Sequence, residues 1–223
     1  MSGGWREIAD DENVAGYDQR MAANLEDVAA AGLSVHAEAD LVAEFAAPGA
    51  TVLDGGCGTG RIAWRLAEMG YRVIGADNDP RMLAHAKAGD REVTIKPVWL
   101  ETDLASVPNS SADVVLVAGN VMPLVGAEEL PTSLAQLANL MSQDSVLISG
   151  FGLDLDHLPP GCEVLALADF DQMATDAGLE LRARWGTWQG GPFAGDYVVN
   201  VHRLVRPAYR LVRPCTPTNG DCQ

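Results

Sequence analysis

The chain has 223 residues, of which 48% are apolar, and this length and composition suit one α/β domain with a sizeable core. Residues 1–202 carry 11 Lys and Arg against 30 Asp and Glu, a net charge of −19, so this part of the chain would repel a phosphate backbone. Unless a local basic groove exists, the charge excludes DNA and bulk RNA as partners and favours a small-molecule substrate.

The first 47 residues are predicted to be helical. Leu25, Val28, Ala29 and Leu33 are spaced for one helix face, and a second apolar set follows. The segment lacks the apolar run of a signal peptide, and no stretch of the sequence is long and apolar enough to cross a membrane. We therefore expect a cytoplasmic protein without membrane contact, either a monomer or a homodimer.

From Pro48 onward, short apolar runs alternate with helical segments. The predicted strands are residues 51–53, 71–76, 94–100, 113–118 and 146–151, and the predicted helices are residues 61–69, 80–88, 128–141 and 169–177. Such alternation is typical of a parallel sheet that is covered by helices on both faces.

The C-terminal part has a different character. Two strand-like runs, residues 179–188 and 197–204, are separated by a short loop rich in Gly and Pro, which predicts an antiparallel hairpin. Beyond the hairpin, the sequence Arg-Leu-Val-Arg-Pro occurs twice within residues 203–214. We interpret residues 206–223 as a poorly ordered tail, with a basic docking strip as the alternative.

The cysteines give no sign of a metal site or of a disulfide framework. The chain has 4 of them, and none forms a C-x-x-C pair. We therefore expect reduced thiols and no metal. Cys57 is interpreted as a small filler residue, because no histidine lies near it in the sequence to activate it.

A glycine-rich loop follows the first predicted strand, in the segment Thr51-Val-Leu-Asp-Gly-Gly-Cys-Gly-Thr-Gly-Arg61. Glycines permit a tight turn here and let a ligand lie against bare peptide groups. The helix that begins after the loop presents its free N–H groups to the same ligand. Residues 58–63 also satisfy the G-x-G-x-x-A pattern of dinucleotide-binding turns, so the loop alone leaves two cofactor classes open.

Acidic residues follow the next two strands. Asp77 ends the second strand, where a ribose-binding acid lies in either cofactor class, and Asp103 with Leu104 ends the third. Singly, such residues could cap helices, as Asp54, Asp77 or Asn78 could here. Together they favour one shared ligand, because open α/β sheets bind ligands outside the carboxyl ends of their strands.

The segments VLDGGCGTGR, GADNDPRML, ETDL and ADVVLVAGN, in this order, resemble the successive cofactor motifs of class I S-adenosylmethionine-dependent methyltransferases. The resemblance spans about residues 35–205. It implies an α/β fold with a Rossmann-like, seven-stranded, mostly parallel sheet whose last strand is antiparallel, with helices on both faces. It divides the chain into an N-terminal helical lid (1–47), a methyltransferase domain (48–205) and the tail (206–223).

The same resemblance implies a chemistry and a set of cofactor-binding residues. The cofactor would be S-adenosyl-L-methionine, the product S-adenosyl-L-homocysteine, and the reaction methyl transfer to a small-molecule acceptor by in-line displacement. By analogy, Asp54 orders the loop, Asp77 binds the ribose and Asp103 the adenine. The predicted cofactor-binding residues are Asp54, Gly55, Gly56, Gly58, Gly60, Arg61, Asp77, Asn78, Met82, Asp103, Leu104 and Asn120. For Met82, a place in the core is an equal alternative.

The acceptor side is predicted from fewer signals. The fourth strand leads into Asn120-Val-Met-Pro123, which lacks the Asn/Asp-Pro-Pro-aromatic tetrapeptide typical of members that methylate nucleic bases or glutamine. Asn120 is predicted to contact cofactor or acceptor, with a turn-forming role as the alternative. His36 is the predicted general base, should the acceptor need to lose a proton. Tyr17 and Arg20 of the lid are predicted to bind substrate.

Other residues receive structural interpretations. His85 and His157 are taken as surface residues, and His202, which alternates with apolar neighbours, as a structural one. The aromatic residues around the C-terminal hairpin are taken as core, with a substrate wall as the alternative. They are Trp185, Trp188, Phe193 and Tyr197.

Two competing functions remain at this stage. A nicotinamide-dependent oxidoreductase would use the same glycine turn, but it needs a catalytic Tyr/Lys pair or an equivalent, and the sequence has no lysine after Lys96. A binding module that holds S-adenosylmethionine without catalysing transfer is compatible with every motif above.

Overall fold

The computed structural model describes residues 5–89, 91–101, 107–109 and 111–205. Its centre is a seven-stranded sheet with the strand order β3-β2-β1-β4-β5-β7-β6. The strands are β1 (Thr51–Gly55), β2 (Arg72–Asp77), β3 (Val98–Glu101), β4 (Ala112–Val117), β5 (Met141–Gly152), β6 (Leu179–Trp185) and β7 (Tyr197–Leu204). The helices are α1 (Trp5–Ile8), α2 (Asp11–Ala15), α3 (Tyr17–Ala30), α4 (Ala37–Ala43), α5 (Arg61–Glu68), α6 (Pro80–Ala88), α7 (Val121–Val125), α8 (Leu130–Leu140) and α9 (Leu167–Asp176).

The pairing of the strands confirms the predicted fold class. Strands β3, β2, β1, β4 and β5 pair in parallel, whereas β7 lies antiparallel between β5 and β6. The fold is therefore the Rossmann-like, mostly parallel sheet whose last strand is antiparallel. All five parallel strands end at one edge of the sheet, where ligands of open α/β sheets bind.

Two predicted strands are longer than the observed ones. Strand β3 begins at Val98 rather than at residue 94, because Pro97 has no N–H to donate to the neighbouring strand. Strand β6 ends at Trp185 rather than at residue 188, because the chain turns there and the Gly186 N–H donates to the Gly191 carbonyl over 2.9 Å.

The sheet buries an apolar core on each of its faces. One face packs against α7, α8 and α9, and the other against α4 and α5. Helix α6 lies beside α5, where the Trp64 indole N–H donates to the Ala86 carbonyl over 3.1 Å. His202 is buried on the α9 side with its ring 5.7 Å from that of Phe170, in agreement with a structural role.

Replacing Phe170 with alanine is expected to destabilise the fold by about 3–5 kcal/mol, because the change leaves a cavity in the core. The Phe170 ring is fully buried and lies 5.0 Å from the ring of Phe151. Chemical denaturation measures the effect. Phe193→Ala serves as the matched control, since this ring is 43% exposed. Equal losses of stability in the two variants would contradict the proposed packing of α9.

The N-terminal helices cover the region where α6 begins. The Trp5 indole N–H donates to Asp79 over 3.1 Å, and Arg81 donates to the Ala9 carbonyl over 3.0 Å. Val14 is buried in the same contact. This segment therefore packs against the start of α6, beside the carboxyl end of β2.

Helix α3 forms, as the sequence predicts. It contains no buried residue, and Leu33 beyond its end is 49% exposed. Leu25 and Val28 on its apolar face are partly buried. The second apolar set behaves as expected, since Leu41 and Val42 of α4 are buried. The predicted tail, residues 206–223, lies outside the described residues.

Candidate functional site

The glycine loop between β1 and α5 is held against the end of β2. The N–H groups of Gly56 and Cys57 both donate to the Ala76 carbonyl, over 2.7 and 3.0 Å. Gly56 has φ +71°, and a methyl group at this position would lie 2.3 Å from Cγ2 of Val121 in α7. The loop therefore needs glycine here both for its backbone conformation and for its close approach to α7.

Asp54 presents a buried carboxylate beneath this loop. The residue is 2% exposed, and within the described part of the chain its Oδ2 atom has no hydrogen-bond partner. Burial raises the pKa of Asp54 to about 7, and nearby Arg61 offsets only part of that increase. A buried carboxylate oxygen without a partner is costly. The site is therefore suited to a ligand with a positive charge.

Asp77 ends β2 and organises the loop from its other side. One carboxylate oxygen accepts the N–H of Gly58 over 2.8 Å, and the second accepts the N–H of Asp79 over 2.8 Å. Burial raises the pKa of Asp77. Each carboxylate oxygen can accept a second hydrogen bond, for example from a hydroxyl group. The backbone contacts therefore fix the orientation of the carboxylate and still leave acceptor sites for a ligand.

Asp79, and neither Asp77 nor Asn78, caps helix α6. Its side chain accepts the N–H of Arg81 over 2.9 Å and is fully buried between the lid and the helix. The Arg81 guanidinium beside it lowers the pKa of Asp79. The capping alternative for Asp77 and Asn78 is therefore wrong, and the exposed Asn78 side chain lies at the open edge of the site.

Trp99 and Trp64 form an aromatic pair that packs against the glycine loop, and the sequence analysis did not identify it. Trp99 of β3 lies next to Gly60 and Gly75, where a methyl group would approach its ring to 2.6 and 2.5 Å. Its ring is 5.9 Å from that of Trp64 in α5. Gly60, with φ +80°, is thus required for packing as well as for the turn. Nothing in the spacing of Trp99 revealed this contact, since it depends on strand register.

Two further cofactor-side predictions concern Met82 and Arg61. Met82 is buried, and its Cε atom would lie 3.3 Å from a methyl group on Gly58. Arg61 forms an ion pair with Glu38 of α4, with 2.5 Å between nitrogen and oxygen, and so links α5 to α4. Both lie beside the loop and stay predictions as ligand contacts. Asp103 and Leu104, the predicted adenine contacts, lie outside the described residues.

Asn120 joins the ends of β4 and β5. Its side chain donates to the His157 carbonyl over 2.9 Å and accepts the Gly152 N–H over 2.7 Å. Within the described residues it is the one residue other than glycine with a positive φ, +68°. The structure thus gives Asn120 the turn-forming role, and a contact with cofactor or acceptor stays a prediction.

The two predicted substrate-binding residues of the N-terminal segment differ in burial, since Tyr17 packs against other residues and Arg20 is exposed. Tyr17 packs edge-on against Trp5, with 5.9 Å between ring centroids. Burial raises the pKa of Tyr17, and the side chain packs against the small apolar cluster that contains Met82. Arg20 is exposed and donates to the Asn13 carbonyl over 2.5 Å, within the lid itself. Substrate binding by either residue stays a prediction.

His36 precedes α4, and its Nδ1 atom has no hydrogen-bond partner within the described residues. Burial, with the charges of Arg65 and then Arg61, lowers the pKa of His36. Its role as a base stays a prediction.

Aromatic residues of the hairpin lie at the end of β5. The Trp188 ring covers Gly150, where a methyl group would meet it at 2.3 Å, and its N–H donates to the Tyr197 hydroxyl over 3.3 Å. Burial raises the pKa of Tyr197 to about 12, and Glu38 acts in the same direction. Both rings are half-buried against the α4–α5 core, whereas Phe193 is exposed.

Comparisons with known proteins agree with this architecture. Residues 52–144 match a family model described as a methyltransferase domain. A TehB-like S-adenosylmethionine-dependent methyltransferase from Corynebacterium glutamicum superposes with a TM-score of 0.71 at 29% identity, over 87% of this chain and 100% of that one. Helices, strand order and glycine loop are thus features of a known fold.

Two curated relatives match in part. A protein of Geobacillus sp. (strain WCH70) that is named as a methyltransferase is 33% identical over 44% of this chain and 40% of its own length. The magnesium-protoporphyrin O-methyltransferase of Synechocystis sp. (strain ATCC 27184 / PCC 6803 / Kazusa) is 30% identical over 48% of this chain and 47% of its own length. The aligned region thus spans about half the length of these relatives or less.

The Synechocystis enzyme also has a solved structure, determined with bound S-adenosylmethionine and with S-adenosylhomocysteine. The first of these superposes with a TM-score of 0.58 at 24% identity, over 89% of each chain, which shows a shared fold. Four features indicate the same kind of protein. They are the sheet order, the glycine loop at the end of β1, the acid that ends β2 and the match to the methyltransferase domain. Residues 52–144 thus carry a methyltransferase domain, and the chain has the fold of class I S-adenosylmethionine-dependent methyltransferases.

Proposed function

We propose that the protein transfers a methyl group from S-adenosyl-L-methionine to a small-molecule acceptor, leaving S-adenosyl-L-homocysteine. The observation that carries this proposal is the buried Asp54 carboxylate, whose Oδ2 lacks a partner within the described residues and lies beneath a loop of bare glycines. A cofactor with a cationic amino group and a sulfonium offers the positive charge that this carboxylate needs. NAD carries less positive charge to offer, and its pyrophosphate would approach a site with two acids.

Different residues of the site would bind different parts of the cofactor. Asp77, whose carboxylate is aimed by the N–H groups of Gly58 and Asp79, would accept from the ribose hydroxyls. Asp54 would face the amino group, and Gly56 and Gly58 would let the methionine part lie against the backbone. Met82, which lies beside Gly58, would pack against the cofactor. Arg61, paired with Glu38, would hold the lid-side helix α4 near the loop.

The chemistry itself needs little from the protein. The cofactor supplies an activated methyl group, so in-line displacement depends mainly on how the acceptor is held. The net charge of −16 disfavours large anionic acceptors, in agreement with a small neutral or cationic molecule. Tyr17 and the aromatic residues at the end of β5 would form the walls of the acceptor site.

Asp77→Ala is expected to weaken the binding of S-adenosylhomocysteine by at least about 100-fold, because it removes charge-assisted hydrogen bonds and releases the glycine loop. Titration calorimetry with S-adenosylmethionine, S-adenosylhomocysteine and NAD measures this. Asp113→Ala is the matched control, since Asp113 also accepts a backbone N–H, that of Thr51 over 2.8 Å, but at the opposite end of β1.

Different outcomes separate the competing functions. Saturable binding of NAD alone would contradict the cofactor assignment. Unchanged affinity in Asp77→Ala would contradict the ribose assignment. Tight binding of the methyl donor without transfer to any member of a broad acceptor panel would instead identify a non-catalytic binding module.

A further inference from the structure

A histidine–aspartate pair lies directly after β5. The Nδ1 atom of His157 is 2.7 Å from Oδ1 of Asp154. The same oxygen accepts the backbone N–H groups of Asp156 and His157, each over 3.1 Å, so the carboxylate is fixed by the turn that carries the ring. When Nδ1–H donates to a carboxylate, Nε2 carries the free lone pair of the imidazole. The His157 side chain is 42% exposed, so Nε2 can meet a ligand.

This pair lies at the edge of the sheet where the parallel strands have their carboxyl ends. Asn120, at the end of β4, donates to the His157 carbonyl over 2.9 Å and accepts the Gly152 N–H at the end of β5. The next residue, Val121, touches the position where a side chain on Gly56 would stand. A short chain of contacts therefore connects His157 to the glycine loop, across the carboxyl ends of β1, β4 and β5.

The pair also shares a face of β5 with an aromatic ring. Gly150 and Gly152 point to the same side of the strand, because side chains alternate along it. A methyl group on Gly152 would lie 2.6 Å from Cβ of His157, and one on Gly150 would lie 2.3 Å from the ring of Trp188. Cβ of His157 and the indole of Trp188 thus lie on the same side of β5, and an aromatic ring on this side suits a planar, aromatic acceptor.

The charges around His157 favour a neutral acceptor. Asp154, Asp196 and Asp156 all raise the pKa of His157, with Asp154 dominant. Three carboxylates at this end of β5 repel an acceptor that arrives as an anion, such as a carboxylate or a phenolate. They stabilise an imidazolium, which is the product of proton uptake.

We propose that His157 is the general base of this site, that Asp154 orients it, and that the acceptor is a neutral phenolic hydroxyl compound. The proposal rests on the proposed function. As the oxygen lone pair forms the new bond to the methyl carbon, the hydroxyl proton moves to Nε2 of His157. The carbon–sulfur bond breaks, its electron pair stays on sulfur, and sulfur becomes a neutral thioether. The imidazolium then releases the proton to solvent.

The first experiment separates cofactor binding from base catalysis. S-adenosylhomocysteine is titrated into the wild type, His157→Gln and His85→Gln. His85 is the matched control, since it is also an exposed histidine near a carboxylate, 3.9 Å from Asp18, but it lies on α6. Equal affinities are expected. Failure of the wild type to bind would contradict the proposed function, whereas a loss confined to His157→Gln would give His157 a role in cofactor binding and overturn the proposal.

The second experiment follows the imidazole directly. In the complex with S-adenosylhomocysteine, NMR titration is expected to show that Asp154→Asn lowers the pKa of His157 and that phenol shifts the His157 ring signals. Asn retains the acceptor oxygen for the backbone N–H groups, so the turn should persist. If saturating phenol leaves these signals unchanged in a complex that is fully bound, the acceptor assignment is wrong.

The third experiment compares acceptors with S-adenosylmethionine as donor. Phenol methylation is expected to fall by about 100-fold or more in His157→Gln and to remain in His85→Gln. The wild-type rate should rise with pH through the pKa of His157, and Asp154→Asn should move this rise to lower pH. Equal rates in wild type and His157→Gln, methylation of benzoate or pyridine in place of phenol, or transfer to none of these acceptors would each overturn the proposal.

Discussion

Asp54→Asn is expected to stabilise the ligand-free protein at pH 8 while it weakens cofactor binding by more than about tenfold. The carboxylate is fully buried, and burial raises its pKa from the ordinary value to about 7. Above pH 7 the folded protein must hold this charge in a low-dielectric environment, which costs on the order of 1 kcal/mol per unit of pKa shift. Asparagine has the same shape without the charge. Thermal unfolding and calorimetry measure the two effects.

The pH dependence gives a second check on the same residue. A folded-state pKa that is raised above about 4 means that the folded state holds its proton longer than the unfolded state. Stability from this group is therefore present at low pH and declines as pH rises toward about 7. Cofactor affinity has the opposite trend, because binding needs the carboxylate, so it should fall by about tenfold per unit below pH 7.

The control for Asp54 is an acid with no place in the site. Asp113→Asn changes an exposed carboxylate at the other end of the sheet and should leave cofactor affinity unchanged. Parallel pH profiles for the wild type and Asp54→Asn would show that another group controls binding. A variant that loses stability at pH 8 would show that the carboxylate is a structural partner.

Gly56→Ala is expected to destabilise the protein by about 2–4 kcal/mol and to abolish measurable cofactor binding. The residue has φ +71°, which costs an alanine about 1–2 kcal/mol. The new methyl group would also lie 2.3 Å from Cγ2 of Val121, so α7 or the loop must move. Because the loop forms one wall of the site, its displacement changes the surface that the cofactor contacts. Chemical denaturation and calorimetry measure the change.

Gly49→Ala separates the cost of a positive φ from the cost of the clash with Val121. Gly49 also has a positive φ, +93°, but a methyl group there would have no neighbour within 4 Å. This variant should show only the backbone cost and should bind the cofactor normally. In Gly56→Ala, the added change Val121→Ala should restore the part of the stability that the clash removes. Similar stabilities for Gly49→Ala and Gly56→Ala would show that the contact with Val121 is unimportant.

Much of the fold was predictable because it depends on local patterns. The alternation of apolar runs and helical segments gave the class of sheet, and α6 and β7 have the predicted bounds. Disagreements occur where one residue interrupts a pattern. Pro97 shortens β3 because it lacks an N–H, and the turn at Gly186 ends β6. The apolar spacing in α3 predicted the helix, but periodicity does not reveal how deeply a face is buried.

The candidate site was predictable in part. Strand ends could be counted along the chain, so Asp54 and Asp77 were identified as groups at the same edge of the sheet. Asp79 and Trp99 were missed, because their importance comes from contacts with the lid and with Gly60. His157 was interpreted as a surface residue, since nothing in its neighbourhood marks the bond from Asn120 that places it at the end of β4.

The sequence by itself determined the resemblance to class I S-adenosylmethionine-dependent methyltransferases, the fold class and the edge of the sheet where the cofactor would bind, because these follow from short motifs and their order. Only the tertiary structure decided which groups meet at that edge. It showed that Asp54 is buried with Oδ2 lacking a partner among the described residues, that Asp77 holds the loop, and that His157 stands beside Asn120. These contacts join residues far apart in the chain, and they depend on strand register and helix packing, which local sequence does not encode.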